Sequence, residues 1–429
     1  TRNFGEITPG DIFQYIKQDG YAALDKALFE MSPENVVEEV KNSGLRGRGG
    51  AAFPTGVKWS FLAPNKASTK YVLCNCEEGD PGAYNDKGIL ETDPHTLVEG
   101  LILNGYATNS NKSYVFIRQG HEIPINAIER AIKEAYQQGI LGENILGSDF
   151  SFDMEVSLTG DSYVAGEETA LMEAIEGKRS TPRFKPPFPA ASGLWKKPTN
   201  INNVKTISYV PQIIKNGSDW FKTTGTEKST GTAIVCLSGH INRPGMYEIP
   251  MGMTINDVLH DIGGGSNSES EIKMLQTGGP LGGVLGKDAF STKIDFDEMA
   301  KSGAILGSGG IIVCNESVSV VDLIRNLVAF NQFESCGKCF PCRLGNTHMY
   351  DVLDRLCKSK SEPNDLHLLE RIGKSMKIGS LCGHGQLGYN PISSSLKYFE
   401  KEISDSIANR SEPLEKMLIP TRTRPNNSE

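Results

Sequence analysis

Nine cysteines are spread through the 429 residues, and three stand two residues apart in Cys336-Gly337-Lys338-Cys339-Phe340-Pro341-Cys342. Thiolates at that spacing can reach three corners of a [4Fe–4S] cube, and a distant fourth completes it. Structural zinc normally uses separated Cys-x-x-Cys pairs or brings in histidine. The fourth ligand is expected at Cys382, in Ser380-Leu381-Cys382-Gly383, with His384 the poorer rival. Cys357 sits at helical spacing among apolar residues and reads as core. Cys74, Cys76, Cys236 and Cys314 lie on or beside apolar strands and read as small buried residues. No second run of this kind exists in the sequence, so one cluster is expected.

A second stretch carries different chemistry. Gly44-Leu45-Arg46-Gly47-Arg48-Gly49-Gly50 leads through Phe53-Pro54-Thr55-Gly56 to Lys58 and Trp59. Glycines let main-chain N–H groups approach an oxygen-rich ligand closely. Arg46, Arg48 and Lys58 are expected to supply charge for phosphate, and Phe53 and Trp59 offer ring faces. Gly47-x-Gly49-x-x-Ala52 formally matches the dinucleotide fingerprint, but that motif follows a strand. Here a helix precedes it, which excludes a standard Rossmann turn and leaves a phosphate loop of another kind. A phosphate-and-ring site joined to a cluster site in one chain points to electron transfer.

Two acidic turns accompany the loop. Asn75-Cys76-Glu77-Glu78-Gly79-Asp80-Pro81-Gly82 follows a strand directly, where α/β proteins bind ligands; a solvated turn is the plainer meaning. Gly166-Glu167-Glu168-Thr169 opens a helix, where the macrodipole alone favours acids. Lys185-Pro186-Pro187-Phe188-Pro189 sets a lysine and an aromatic on stiff backbone, suited to a phosphate and a base, although a linker is the commoner reading.

The elements that must position these residues follow from periodicity. Residues 8–43 read as helices, one of them capped by Ser32-Pro33-Glu34 with Val36, Val37 and Val40 at helical spacing. Strands at 71–75, 113–118 and 152–158 alternate with helices at about 94–107, 124–138 and after Glu167, which predicts an α/β layer with a mostly parallel sheet. Residues 182–198 hold five prolines and read as an extended surface segment. Four short strands at 233–238, 246–249, 273–277 and 310–314 surround a helix at 254–262, a small mixed α+β domain. From Ser317 the pattern is helical, with the cysteine motif between the first two helices, and the tail after Pro413 is polar and expected to be disordered.

At ~150 residues per domain the length holds two or three domains. A hydrophobic content of 38% with 22% charged residues is that of a soluble globular protein, and a net charge of −8 argues against a nucleic-acid binder. No run approaches the ~20 apolar residues of a membrane span. The odd cysteine count and the ligand spacing favour a reducing compartment over a secreted disulfide framework. The chain starts at Thr1 with no apolar signal-peptide core after it, consistent with a removed organelle leader or a trimmed chain.

Together these motifs resemble the NADH-binding flavoprotein subunit of respiratory complex I and the related diaphorase subunits of NAD-linked hydrogenases and formate dehydrogenases. The resemblance runs from about Met31 to Lys401. It rests on the loop from Leu45 through Gly56, Gly166-Glu167-Glu168-Thr169-Ala170-Leu171, Lys185-Pro186-Pro187-Phe188-Pro189, Asn202-Asn203-Val204 and Glu334-Ser335-Cys336-Gly337-Lys338-Cys339 with Pro341-Cys342-Arg343. It implies an N-terminal Rossmann-like α/β domain binding FMN (1–228), a ubiquitin-like β-grasp (SLBB) domain (229–316), a helical [4Fe–4S] domain (317–412) and a polar tail (413–429). FMN would contact Gly47, Arg48, Gly49, Lys58, Asn75, Glu77, Gly166, Glu167, Asn202, Asn203 and Thr206. NADH would stack against Phe53, Phe61 and Phe188, with Asp80 and Lys185 on its polar groups and Glu78 and Glu168 positioning nicotinamide and flavin. Acidic residues near the adenosine ribose imply NADH rather than NADPH. No side chain acts as acid or base.

Three positions depart from the family's usual residues: Ala52 for glycine, Cys76 for alanine and Glu77 for aspartate. Gly79-Asp80-Pro81-Gly82 is closer to the hydrogenase diaphorases, leaning the assignment toward a soluble assembly. The resemblance also implies a thioredoxin-like [2Fe–2S] partner, a larger iron–sulfur electron-transfer subunit, and a bacterial cytoplasm or organelle matrix, with or without a peripheral place on a membrane complex. Two alternatives stand beside it: an NAD⁺-reducing or electron-bifurcating diaphorase using the same residues, and a non-catalytic subunit whose metal only holds an assembly together.

Overall fold

The computed structural model describes residues 1–408; the tail expected at 413–429 lies outside them. Helices Ile12–Lys17, Ala22–Glu30 and Pro33–Asn42 open the chain. The last begins as its sequence demands: Ser32 Oγ accepts from Asn35 N–H at 3.3 Å, Pro33 follows, and Val36, Val37 and Val40 are buried.

Strands β1 (Tyr71–Cys76), β2 (Lys112–Arg118), β3 (Asp153–Thr159) and β4 (Thr199–Asn203) form one sheet in the order β3-β2-β1-β4, with every pairing parallel. Helices Pro94–Thr108 and Glu122–Gln137 make the crossovers, and the first is buried on nearly all sides, as befits its all-round apolar sequence. The chain steps outward from β1 to β3, then β4 returns to the other side of β1. That reversal puts a topological switch point, with its crevice, at the carboxyl ends of β1 and β4. Several elements here went unpredicted, among them the helices Thr55–Leu62, Asn85–Thr92 and Val204–Ser208 and β4 itself. Residues 182–198 contain no strand or α-helix, only a short 3₁₀ turn at Leu194–Lys196.

The middle part is a five-stranded mixed sheet: β5 (Thr232–Gly239), β6 (Gly245–Pro250), β7 (Ile272–Thr277), β8 (Gly283–Gly286) and β9 (Gly310–Asn315), in the order β6-β5-β9-β7-β8. Only β5 and β9 run parallel. Thr254 and Asp257 close a reciprocal capping box at the start of its helical segment. Short β8 and the helix Phe296–Ser302 were not anticipated from the sequence.

Helices Val320–Phe333, Phe340–Cys357, Asp365–Gly379 and Asn390–Ala408 complete the fold around a core that includes Val321, Ile324, Val328, Met349, Val352, Leu353 and Cys357. Arg325 is buried beside Asp322 at 2.8 Å. Among the described residues no helix is long and apolar enough to cross a membrane.

Candidate flavin and iron–sulfur site

The crevice at the switch point is walled by the glycine loop. Arg46 and Pro54 form an antiparallel bridge, Gly47 N–H donates to Phe53 O at 2.9 Å and Thr55 N–H to Leu45 O at 2.8 Å, so the loop closes on itself before helix Thr55–Leu62. Ala52, where the family usually has glycine, sits at φ +53°, a conformation glycine adopts without penalty. A Cβ on Gly49 would lie 2.7 Å from Asn203 Cβ, so loop and β4 meet backbone to side chain.

The arginines do not do what their charge promised. Arg46 donates to Ala52 O at 2.9 Å and reaches Lys228 O and the Asp297 carboxylate. Arg48 is buried, with its guanidinium on the carbonyls of Arg46, Thr230 and Thr232 and against the rings of Tyr209 and Phe296. Both therefore fasten the loop to itself and to the middle part. Only Arg48's backbone N–H turns toward the helix Val204–Ser208 after β4, donating to Thr206 Oγ1 at 2.8 Å. Lys58, in the helix after the loop, reaches the Glu168 carboxylate at 3.4 Å rather than a carbonyl.

The carboxylates divide by environment. Glu77 is salt-bridged to Arg118, yet burial pushes its carboxyl up to about 7. Glu78 accepts from the N–H groups of Asp86 at 2.9 Å and Lys87 at 3.0 Å, capping the helix Asn85–Thr92; burial, and then the charge of Asp86, push it up to about 7. Asp80 accepts from Tyr163 Oη at 2.7 Å and Ser308 Oγ at 2.5 Å, so both its oxygens already hold donors. Glu167 caps helix Glu168–Ile175 by accepting from Thr169 and Ala170 N–H, and Lys185 reaches Glu168 at 2.8 Å and Glu167 at 3.4 Å. Asn75 Nδ2 donates to Gly166 O at 2.8 Å, tying the two acidic turns together.

Sequence reasoning missed the charges beneath. Lys205 Nζ is buried between Asp86 at 2.9 Å and Asn85 at 2.7 Å, and Asn203 Nδ2 donates to the other oxygen of Asp86 at 2.6 Å. The only signals were a first-turn acid and a lysine within an otherwise buried helical turn. Asn202 is buried, bonded to Asn200. Phe53, Phe61 and Phe188 stand 46%, 58% and 61% exposed, far more than large rings need to be, and the first two lie 6.3 Å apart. A cavity of ≈ 300 Å³ lined by Tyr209, Phe221 and Ile234 also touches Lys205 but holds none of the predicted site residues.

The four candidate cysteines come from two segments, the turn leading into helix Phe340–Cys357 and the turn before helix Gly383–Gln386. Cys339 stands just before helix Phe340–Cys357, and its Sγ accepts from Leu381 N–H at 3.3 Å. Cys342 lies in that helix's first turn, where a Cβ on Gly385 would come within 2.9 Å of its own Cβ. Burial pushes the Cys382 thiol up to about 12, with Glu167 and Cys336 near enough to add to the effect. Cys357 is core, the four strand cysteines are buried, and His384 Nε2 lies 2.8 Å from Asn331 O. Among the described residues no group of three His, Cys, Asp or Glu side chains is arranged to hold a single metal ion. Three thiols two residues apart with a distant fourth suit an iron–sulfur cube, in which each iron takes one thiolate.

Comparison with known proteins agrees with this geometry. Residues 40–212 match the Nuo51 FMN-binding domain, 234–285 an SLBB domain, and 322–406 the NADH-ubiquinone oxidoreductase-F iron-sulfur binding region. The chain is 45% identical to the NADP-reducing hydrogenase subunit HndC of Solidesulfovibrio fructosivorans, over 94% of this chain and 82% of that one. It is 38% identical to an NADH-quinone oxidoreductase subunit of Escherichia coli, over 92% and 89%. A chain of the NAD⁺-reducing [NiFe]-hydrogenase, in its H₂-reduced crystal structure, superposes with a TM-score of 0.82 at 28% identity, covering 94% of this chain and 67% of that one.

Fold and site thus define an iron–sulfur flavoprotein built from a parallel α/β layer, an SLBB module and a helical cluster region. The chain belongs to the NADH-quinone oxidoreductase-F family. Its cofactors are FMN and a [4Fe–4S] cluster, and it is an oxidoreductase of the NADH dehydrogenase class.

Proposed function

We propose that FMN lies in the crevice between β1 and β4, held by the main chain of Gly47, Arg48 and Gly49, by Lys58, and by Asn75, Glu77, Gly166, Glu167, Asn202, Asn203 and Thr206. NADH stacks on Phe53, Phe61 and Phe188, with Lys185 and Asp80 at its polar groups and Glu78 and Glu168 beside the nicotinamide. Cys336, Cys339, Cys342 and Cys382 carry the cluster. The observation that carries this reading is the link from the crevice to the cysteine turn: Glu167 caps helix Glu168–Ile175 beside the crevice, and Arg179, just past that helix, donates to Cys336 O at 2.7 Å.

Bound FMN supplies the two-electron to one-electron conversion. The chain's own residues orient and exclude. Glu78 and Asp80 have both oxygens committed to donors and Glu77 has its Oε1 on Arg118, which fixes the turn's backbone rather than offering a base. The exposed phenylalanines supply ring faces, and the cation–carboxylate set of Lys58, Lys185 and Glu168 brackets the crevice mouth. By the family resemblance, acidic residues near the adenosine ribose disfavour a second phosphate there, so NADH is the nucleotide. Electrons pass on to a [2Fe–2S] thioredoxin-like subunit and a larger iron–sulfur subunit, within a reducing compartment. The Gly79-Asp80-Pro81-Gly82 turn and the hydrogenase relatives favour a second reading, in which the same module runs toward NAD⁺ reduction.

The test is anaerobic. NADH added to the cofactor-loaded chain is expected to bleach the flavin band and raise a [4Fe–4S] EPR signal, with NADPH much slower. A colourless zinc protein, or a flavin that NADH leaves unchanged, would overturn the reading.

A further inference from the structure

The shell around the cysteine turn holds more polar atoms than its backbone uses. Asn346 sits one turn beyond Cys342 in the same helix and is fully buried. Its amide donates to Cys342 O at 3.0 Å and lies 3.5 Å from Cys342 Sγ, while its Oδ1 has no partner. From the other side Ser335 Oγ lies 3.4 Å from the same sulfur. A buried amide with its carbonyl unsatisfied is a cost to the fold, and helix propensity gives asparagine no reason to be there. Leucine would pack without it.

We infer that Asn346 and Ser335 hold up the reduction potential of the cluster by donating hydrogen bonds to Cys342 Sγ. The inference rests on the reading of Cys336, Cys339, Cys342 and Cys382 as the cluster's ligands. Reduction adds one electron to the cluster–thiolate unit and increases the negative charge its sulfurs share. A donor aimed at a ligand sulfur stabilises the reduced form more than the oxidised one. Leu381 N–H does the same for Cys339 from the backbone. At Cys342 both donors are side chains, so the potential there is set by residue identity. Asn346 and Ser335 are positioning residues: they act on the cluster through its ligand.

The test uses the full cofactor-loaded chain poised at a series of potentials and read by EPR. Asn346→Leu and Ser335→Ala are each expected to lower the reduced-to-oxidised ratio at a fixed potential by roughly tenfold, equivalent to ~59 mV for a one-electron couple, and the double variant to lower it further. Ser335→Ala, at a half-exposed position, covers the case in which the helix variant fails to fold. An unchanged potential in both variants, with only the melting temperature moved, would overturn the inference and leave Asn346 a helix residue. A wild-type chain that takes up no cluster would overturn the ligand reading along with it, and NADH bleaching of the flavin is scored separately.

Discussion

Gly49 and Asn203 lie so close that any side chain on the first would meet the second: a Cβ at Gly49 would sit 2.7 Å from Asn203 Cβ. Asn203 also holds Asp86, so the displacement would pass into the buried charge network. Gly49→Ala is therefore expected to reduce flavin retention severalfold. Gly47→Ala, whose new Cβ would meet protein atoms only at ordinary contacts of 3.5 Å and beyond, should leave the buried charge network undisturbed and lose less FMN than Gly49→Ala. The ratio of flavin absorbance to protein absorbance after gel filtration separates the two.

Lys205→Met removes the one ammonium facing buried Asp86. An uncompensated buried carboxylate costs about 3–5 kcal/mol, to be read as a drop in urea stability of the flavin-free chain. A change below about 1 kcal/mol would mean that the buried pair adds no net stability.

Two cysteine substitutions should part company. Cys382→Ser is expected to abolish the [4Fe–4S] signal, whereas Cys357→Ser should keep it and lose about 1–3 kcal/mol of stability through a hydroxyl in an apolar core. Iron content and EPR on the same preparations decide it.

The acidic turn predicts a pH dependence. Glu77 and Glu78 are raised from 4.5 to about 7 in the fold. Between those values the folded chain binds more protons than the unfolded one, so stability falls as pH rises through the window and levels off above it. His95, lowered from 6.5 to about 4 by burial, works in the opposite sense. It does so equally in Glu77→Gln, so the difference between wild type and variant isolates Glu77. The melting temperature of flavin-free Glu77→Gln should fall less steeply between pH 4.5 and 7; parallel curves would exclude a raised carboxyl.

How much of this was legible beforehand varied with the kind of signal. The cysteine spacing, the glycine loop and both acidic turns announced themselves, because each needs particular residue types at fixed separations. β4 did not: Thr199-Asn200-Ile201-Asn202-Asn203 is polar, and only the parallel partner β1 and the crevice give those side chains a buried place. Nor could the chain reveal which way Arg46 and Arg48 point. Residue type told of positive charge near a phosphate loop, but direction depended on carbonyls almost two hundred residues later. The Lys205–Asp86 pair escaped for the same reason.

That grip on carbonyls has an evolutionary side. Arg48 takes hold of the main-chain oxygens of Thr230 and Thr232, and Arg46 that of Lys228. Backbone oxygens are the same whatever residue bears them. The hold on these three oxygens thus follows the path of the chain more than the side chains at 228 and 232, and an insertion of a single residue between 228 and 232 would unseat both arginines at once. A recombination event exchanging the middle part for another would have to reproduce that path and also Gly231, Phe296 and Asp297, which turn the chain and meet the two arginines.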